Sequence, residues 1–292
     1  MQSESNRLRV AVLGSGNIGT DLAYKVAKDP SLKLSLVAGI DPGSEGLARA
    51  RELGAETTTS GALGILEHGG IDVVLDATSA KAHLSHEGKL REAGMRIVDL
   101  TPAKVGPSVV PSVNLDVAAK SPNVNLISCA AQATIPLIYG FSKVAPVAYA
   151  EIVATLSSSS AGMAARENIE EFKRTTERAM VEVGQARVAN AMVIFNPAEP
   201  PICMRNSIYI KYDGPVDDAE VERSVLGMAD MVRKYVPGYR ITVTPFRRND
   251  HYMVSVEVTG NGDFLPKYAG NLDIINAAAI AVLHRQAGAA IH

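Results

Sequence analysis

Two groups of residues combine reactive or ligand-holding types with informative spacing. The first is Gly14-Ser15-Gly16-Asn17-Ile18-Gly19, a G-x-G-x-x-G run that follows the apolar stretch 8–13 and opens a helical pattern. Gly14 permits a tight turn, Gly16 lets backbone approach a pyrophosphate, and Gly19 lets helix and strand pack closely. The free N–H groups of the helix start then face the phosphates. A plain structural turn can use the same glycines, but a strand before and a helix after favour a dinucleotide. The second group surrounds Cys129, which follows the run 123–128 and precedes Ala130-Ala131-Gln132-Ala133-Thr134-Ile135-Pro136, a candidate helix start. A thiol at a helix N-terminus feels the positive end of the dipole, which favours thiolate. A thiolate there adds to an aldehyde carbonyl; the thiohemiacetal gives hydride to a nicotinamide and leaves a thioester. Backbone N–H groups at the helix start would hold the oxyanion. An inert, buried cysteine also fits this position. Cys203, in an apolar run, reads as core.

Other candidates line the same edge. Asp41 stands 22 positions after Gly19 and ends a strand pattern. An acidic residue there hydrogen-bonds the adenosine ribose and repels a 2′-phosphate, favouring NAD over NADP; Asp41-Pro42-Gly43 is also a turn signal. Ala77-Thr78-Ser79 and Leu100-Thr101-Pro102-Ala103 end two further strand patterns, where open α/β sheets bind ligands. Thr78 is the hydroxyl placed for cofactor contact, with ordinary loop chemistry as the alternative. His83 and His86 are i, i+3 on a candidate helix, without a Cys or carboxylate arrangement to complete a metal site, so a solvated helix face is expected. Asp263 and Tyr268 precede the last helix, and the sequence does not decide whether they reach the site.

The elements that position these residues follow from apolar periodicity. Continuous apolar runs at 8–14, 32–40, 71–77, 95–100 and 124–128 alternate with helical patterns near 17–28, 44–54, 61–68 and 80–93. This predicts an α/β, Rossmann-type, doubly wound parallel sheet. The second half changes character: strands at 150–158, 191–196, 207–212, 240–245 and 252–258, and helices near 164–183 and after Asp217. Ile169, Phe172, Met180 and Val183 share one helix face, and Val221, Val225, Met228 and Val232 another. Asp217 and Glu220 form a D-x-x-E start signal. Few long helices among strands with one polar face predict an α+β domain with an open antiparallel sheet. An Ala-rich helix at 271–288 returns to the first domain. The expected division is 1–130 for NAD binding, 131–268 for catalysis and dimerisation, and 269–292 for the returning helix.

Composition narrows the partners. The chain has 292 residues, 29 Lys+Arg against 31 Asp+Glu, and no basic run, which argues against nucleic acid and membrane surfaces. Two cysteines make no disulfide framework, the N-terminus lacks an apolar leader, and no stretch spans a bilayer, so a cytoplasmic location is expected.

The chain resembles the acylating acetaldehyde (or propanal) dehydrogenases of aromatic and steroid catabolism. The likeness is carried by GSGNIGTDL at 14–22, GIDPGSEGLARA at 39–50, DATSA at 76–80 and DLTPA at 99–103. It continues in QATIP at 132–136, YAEIVA at 149–154, NPAEPP at 196–201, YVPGYR at 235–240 and YAGNLDI at 268–274. The resemblance implies NAD-dependent oxidation of a short aldehyde to its coenzyme A thioester, with Cys129 as nucleophile, and a 4-hydroxy-2-oxovalerate aldolase as partner. It also implies NAD contacts at Ser15, Gly16, Asn17 and Ile18, at Asn271, and in the loop of Ser160, Ala161, Gly162, Met163, Ala164, Ala165, Arg166, Glu167 and Asn168. Four departures stand out. Cys129-Ala130-Ala131-Gln132 replaces Cys-Gly-Gly-Gln, with strain expected if either alanine takes φ > 0. Met204-Arg205-Asn206 replaces Met-Arg-Asp, so the catalytic position beside Cys129 and Gln132 holds an amide that cannot accept a proton as a carboxylate does. The loop at 160–166 differs, and the segment 245–252 is shortened. Two other readings remain: an NAD(P)-dependent oxidoreductase of this fold without a covalent step, and a catalytically weak NAD-binding subunit of an aldolase complex.

Overall fold

The computed structural model describes residues 7–161 and 169–288. Through the first half run β1 (Leu8–Leu13), α1 (Asn17–Lys28), β2 (Leu32–Ala38), α2 (Glu45–Glu52), β3 (Glu56–Thr58), α3 (Gly61–His68), β4 (Val73–Asp76), α4 (Ala80–Glu92) and β5 (Arg96–Asp99). The short helices α5 (Pro111–Asn114) and α6 (Asp116–Lys120) precede β6 (Asn123–Asn125). The six strands form one parallel sheet in the order β3-β2-β1-β4-β5-β6. The central strands β1 and β4 are apolar apart from Arg9 and the closing Asp76, because both faces are covered. Val10 and Val12 join one buried cluster, and Ala11 and Leu13 the opposite one. The polar triplet of β3 and the four- and five-residue helices α5 and α6 are too short for a periodic signal, and pattern reading passes over them.

The second half contains α7 (Cys129–Ser142), β7 (Val147–Ser157), a 3-10 turn at Ser158–Ser160, α8 (Ile169–Glu182), β8 (Ala186–Asn196), β9 (Met204–Tyr212), α9 (Asp218–Arg233), β10 (Tyr239–Arg248), β11 (His251–Val258) and α10 (Gly270–Gln286). The five strands follow the order β10-β11-β9-β7-β8. Three of the pairings are antiparallel as expected, but β7 and β8 run parallel, so the sheet is mixed. The reason is α8: a helix between two neighbouring strands carries the chain back to the starting end, as parallel pairing requires. One face of this sheet is apolar and buried, with Ile152 on β7, Ile208 on β9 and Val254 and Val256 on β11 in one cluster with α7 and α9. Asp217 caps α9 as its spacing predicts, accepting from the backbone N–H of Ala219 and Glu220 at 2.8 and 3.1 Å.

Helix α10 returns to the first sheet and buries Ile275, Ala278, Ala279, Val282 and Leu283 against it. A buried ion cluster fixes this docking. Lys25 of α1, with 8% of its side chain exposed, lies 2.7 Å from Asp273 of α10, 2.7 Å from Asp263 and 3.7 Å from Asp21. Burial opposes the charge on Lys25, but Asp273 and Asp21 outweigh it and raise its pKa. Asp263 therefore belongs to this clasp. Removing the ammonium leaves Asp21 and Asp273 uncompensated in the interior. Lys25→Met is expected to cost about 3 kcal/mol or more, read as a lower urea midpoint at neutral pH.

Candidate active site between the two sheets

The glycine loop is built as its spacing requires. Gly14 has φ +111°, a region that side chains avoid. A Cβ on Gly19 would stand 1.8 Å from the Gly14 carbonyl oxygen, so helix and loop touch backbone to backbone. A Cβ on Gly16 would meet no protein atom within 4 Å, which leaves open space over the loop. Helix α1 has no side-chain cap, and its first intrahelical bond is Thr20 N to Gly16 O. The N–H groups of Asn17, Ile18 and Gly19 precede that bond and form an anion site of the kind a pyrophosphate fills. Three residues that support this loop escaped the sequence reading. Ser44, the residue before α2, turns its hydroxyl to Ser15 Oγ at 2.8 Å. A Cβ on Gly39 or Gly46 would collide with Ser15 at 2.6 or 2.2 Å. Their only sequence signal is small residues flanking Asp41.

Asp41 is exposed, and its Oδ1 accepts the Gly43 N–H at 2.9 Å, so the turn role exists alongside any ribose contact. Thr78 gives both N–H and hydroxyl to Asp76 Oδ1, at 3.0 and 2.5 Å. The His83 expectation fails: His83 is fully buried on α4, with Nδ1 2.8 Å from Asp76 Oδ2, and His86 Nε2 lies 2.6 Å from the same oxygen. The sequence pattern could not show that β4 ends in a carboxylate facing that helix. Among the described residues these three form the one group of three or more side chains spaced for a metal ion. Their N···O separations are those of hydrogen bonds, shorter than the roughly 3.3 Å that ligand atoms about 2.0–2.1 Å from a tetrahedral zinc must keep. Burial alone would raise the Asp76 pKa, but bonds from His83, His86 and Thr78 hold it well below the usual carboxylate range.

Cys129 is the first residue of α7, where the chain passes from the first sheet to the second. Ser128 caps the helix through the Ala131 N–H at 3.1 Å, while the N–H groups of Ala130 and Cys129 approach the sulfur. The residue keeps partial exposure, yet packing around its sulfur dominates and pushes the thiol up to about 11. This reverses the expected lowering: the two N–H groups pull toward thiolate and do not overcome desolvation. Ala130 and Ala131 sit inside the helix, fully buried and absent from the positive-φ residues, so the anticipated strain there does not arise. Strain lies instead at Ile127, with φ +69°.

Gln132 gives its Nε2 to Val109 O at 2.8 Å and Leu126 O at 2.9 Å. Both amide hydrogens are therefore used, one on Val109 and one on Leu126, three residues before Cys129, and none is left to donate to a substrate. Asn206 lies on the buried face of β9, opposite Ala154 of β7. Both side-chain polar atoms of Asn206 are buried without a partner, as are Oε1 of Gln132 and Oδ1 of Asn271. Such atoms cost about 1–3 kcal/mol each when left unpaired. Asn271, at the start of α10, donates to Ser160 O at 3.2 Å and ties the end of β7 to this edge. Ser160 is buried and bonds Ser157 O at 3.1 Å; Ala161 follows it. Gly162, Met163, Ala164, Ala165, Arg166, Glu167 and Asn168 lie outside the described residues. Cys203 is partly buried and accepts from Thr259 Oγ1 at 3.7 Å, away from any of these groups in the fold's bonding.

Comparison with known proteins adds to this geometry. Residues 9–121 match the family model "Semialdehyde dehydrogenase, NAD binding domain", and residues 129–266 match "Prokaryotic acetaldehyde dehydrogenase, dimerisation". The chain is 53% identical over 285 residues to an acetaldehyde dehydrogenase of Chloroflexus aggregans, covering 94% of each. It is 50% identical to an acetaldehyde dehydrogenase of Geobacillus stearothermophilus, covering 95% of each. A crystal structure of aspartate semialdehyde dehydrogenase II from Vibrio cholerae shares the fold, with TM-score 0.66 at 12% identity over 96% of this chain and 99% of that one.

Two tests address these features. Gly16→Ala should melt with the wild-type protein but weaken NAD binding about tenfold or more, since its methyl occupies ligand space, whereas Gly19→Ala should lose both stability and binding; thermal melts and NADH fluorescence titration separate them. Iodoacetamide labelling of Cys129, followed by peptide mass spectrometry, should accelerate about tenfold per pH unit and keep rising toward about 11. A plateau near the ordinary thiol value of about 8.5 would sink the desolvation argument.

Proposed function

The chain belongs to the acetaldehyde dehydrogenase family, and we propose that it oxidises a short-chain aldehyde, acetaldehyde or propanal, with NAD and passes the acyl group to coenzyme A. The observation that carries this reading is Cys129 as the first residue of α7, where the chain leaves the glycine-loop sheet for the second sheet, whose strand β9 holds the buried amide of Asn206. The glycine loop and the first-turn N–H groups of α1 suit the pyrophosphate, and Asp41 suits a ribose diol while repelling a 2′-phosphate. When bound, the nicotinamide accepts a hydride.

The chain's own residues perform the rest. Cys129 Sγ adds to the aldehyde carbonyl carbon, and the carbonyl oxygen becomes an oxyanion. The N–H groups of Cys129 and Ala130, together with Asn206 Nδ2, supply donors for it. Loss of hydride from that carbon leaves a thioester on Sγ, which the coenzyme A thiol attacks, releasing Cys129 and acyl-coenzyme A. Because Asn206 is an amide, it orients the oxygen and takes no proton. The thiol, pushed up by burial, is mainly protonated in the free protein. Its proton passes to solvent as the substrates assemble, and the proton of the attacking coenzyme A thiol ends on the departing Cys129 sulfur, so each turnover releases one proton.

The same reading includes a homodimer. Val188, Met192 and Ile194 of β8 and Val243 and Phe246 of β10 are exposed apolar side chains on the second sheet, a surface that a second copy would cover. The matched dimerisation region supports it. A 4-hydroxy-2-oxovalerate aldolase as aldehyde source rests on the family resemblance. A cytoplasmic setting is supported by two free cysteines; no helix among the described residues is long and apolar enough to cross a membrane.

Cys129→Ser should bind NAD within about twofold of wild type and lose acyl-coenzyme A formation by three orders of magnitude or more. Wild-type protein given aldehyde and NAD without coenzyme A should carry an acyl adduct on Cys129 by mass spectrometry. Turnover that survives Cys129→Ser rules the covalent step out.

A further inference from the structure

The carboxyl ends of β4, β5 and β6 share one device. Asp76, Asp99 and Asn125 are the last residues of these strands, and each is fully buried. Each accepts the backbone N–H two residues on: Thr78 at 3.0 Å, Thr101 at 2.7 Å and Ile127 at 2.9 Å. Their remaining atoms join the three turns. His83 Nδ1 meets Asp76 Oδ2 at 2.8 Å, and His83 Nε2 lies 3.6 Å from Asp99 Oδ2 and 3.2 Å from Asn123 Nδ2. Asn125 Nδ2 donates to Asp99 Oδ2 at 2.8 Å and to Thr101 O at 2.7 Å.

The two ends of this chain of contacts differ in what they reach. The Asp76 end supports Thr78, next to Ala77, whose carbonyl oxygen would be 2.7 Å from a Cβ on Gly14. The Asn125 end supports Ile127, a β-branched residue held at φ +69°, two positions before Cys129. A branched side chain disfavours that region and stays there only when its surroundings over-determine it. Asn125 supplies the acceptor for Ile127 N–H, and Gln132 holds the adjoining Leu126 carbonyl.

We propose that this buried network positions the nucleophile: His83 lies against Asp99 across a 3.6 Å charge contact, Asn125 is hydrogen-bonded to Asp99, and Asn125 holds Ile127 in the left-handed turn that aims Cys129. His83 and Asn125 are positioning residues and touch no substrate. The proposal rests on Cys129 being the nucleophile, as read above. It separates the two arms of one imidazole. The Nδ1 arm serves the cofactor edge, and the Nε2 arm serves the thiol.

The arms are tested with Asn125→Ala, His83→Asn and His83→Gln, reading kcat for acyl-coenzyme A formation, the NAD dissociation constant and the melting temperature. An asparagine amide nitrogen replaces Nδ1 and leaves the Asp99 side empty; a glutamine nitrogen replaces Nε2 and leaves Asp76 empty. Asn125→Ala and His83→Asn should lower kcat roughly ten- to hundredfold while NAD affinity stays within about twofold. His83→Gln should weaken NAD and keep kcat within about threefold. Unchanged kcat in Asn125→Ala overturns the proposal, as does a loss in both His83 variants that only follows the melting temperature. If the His83 variants do not fold, Asn125→Ala decides alone; if Asn125→Ala does not fold, the His83 pair decides. Absence of any acyl adduct on wild-type Cys129 overturns the nucleophile reading and this proposal together, an outcome distinct from low kcat in variants of an active wild type.

Discussion

Buried backbone N–H groups must be paired, and the turns that leave the first sheet meet this need in two ways. This constraint shapes the site. Where β1 ends, the answer is a glycine loop whose donors stay available for an anion. At the ends of β4, β5 and β6 the chain places Asp76, Asp99 and Asn125, which take the next turn's N–H for themselves. The first solution leaves room for a ligand and the second leaves rigidity. A cofactor edge and a fixed thiol need those two properties side by side. Burying two carboxylates for this purpose costs desolvation, seen in the raised pKa of Asp99 despite its bonds to Thr101 and Asn125. It is tolerated because His83 and Asn125 occupy their remaining lone pairs.

The balance at Cys129 shows which effect wins. A helix N-terminus favours an anion by about 0.3–1 kcal/mol, and about 2 kcal/mol at best. A rise from the ordinary thiol value to about 11 corresponds to about 3 kcal/mol against the thiolate. Desolvation therefore exceeds the dipole, and sequence position alone misjudged the sign. Helix register is visible in residue types; the depth at which a helix start is buried depends on the second sheet packing over it.

The same distinction runs through the rest of the chain. The glycine loop, α1 and the strand at 252–258 were legible because local period and backbone sterics decide them. The parallel β7–β8 pair was misjudged since pairing direction depends on a crossover, although α8 between the strands carried that information. His83 was misjudged because its partners, Asp76 and Asp99, come from strand ends 7 and 16 residues away that meet only in the folded sheet. Gly39, Ser44 and Gly46 were missed for a related reason: they support Ser15 from a neighbouring strand–helix turn, a contact that no spacing within one motif encodes.

The departures around the nucleophile now divide by physical kind. Ala130 and Ala131 add methyl groups inside a regular helix turn, so they change volume and packing, and backbone geometry is unaffected. Asn206 instead removes a charge from a buried position while keeping hydrogen-bonding capacity, and both of its polar atoms lack protein partners. A carboxylate at such a buried position could accept a proton; an amide cannot, and it can donate. If Asn206 borders the thiol as proposed, the amide suits stabilising an oxyanion better than storing a proton, and the turn at Ile127, with φ +69°, is the backbone feature that sets the start of the helix bearing Cys129.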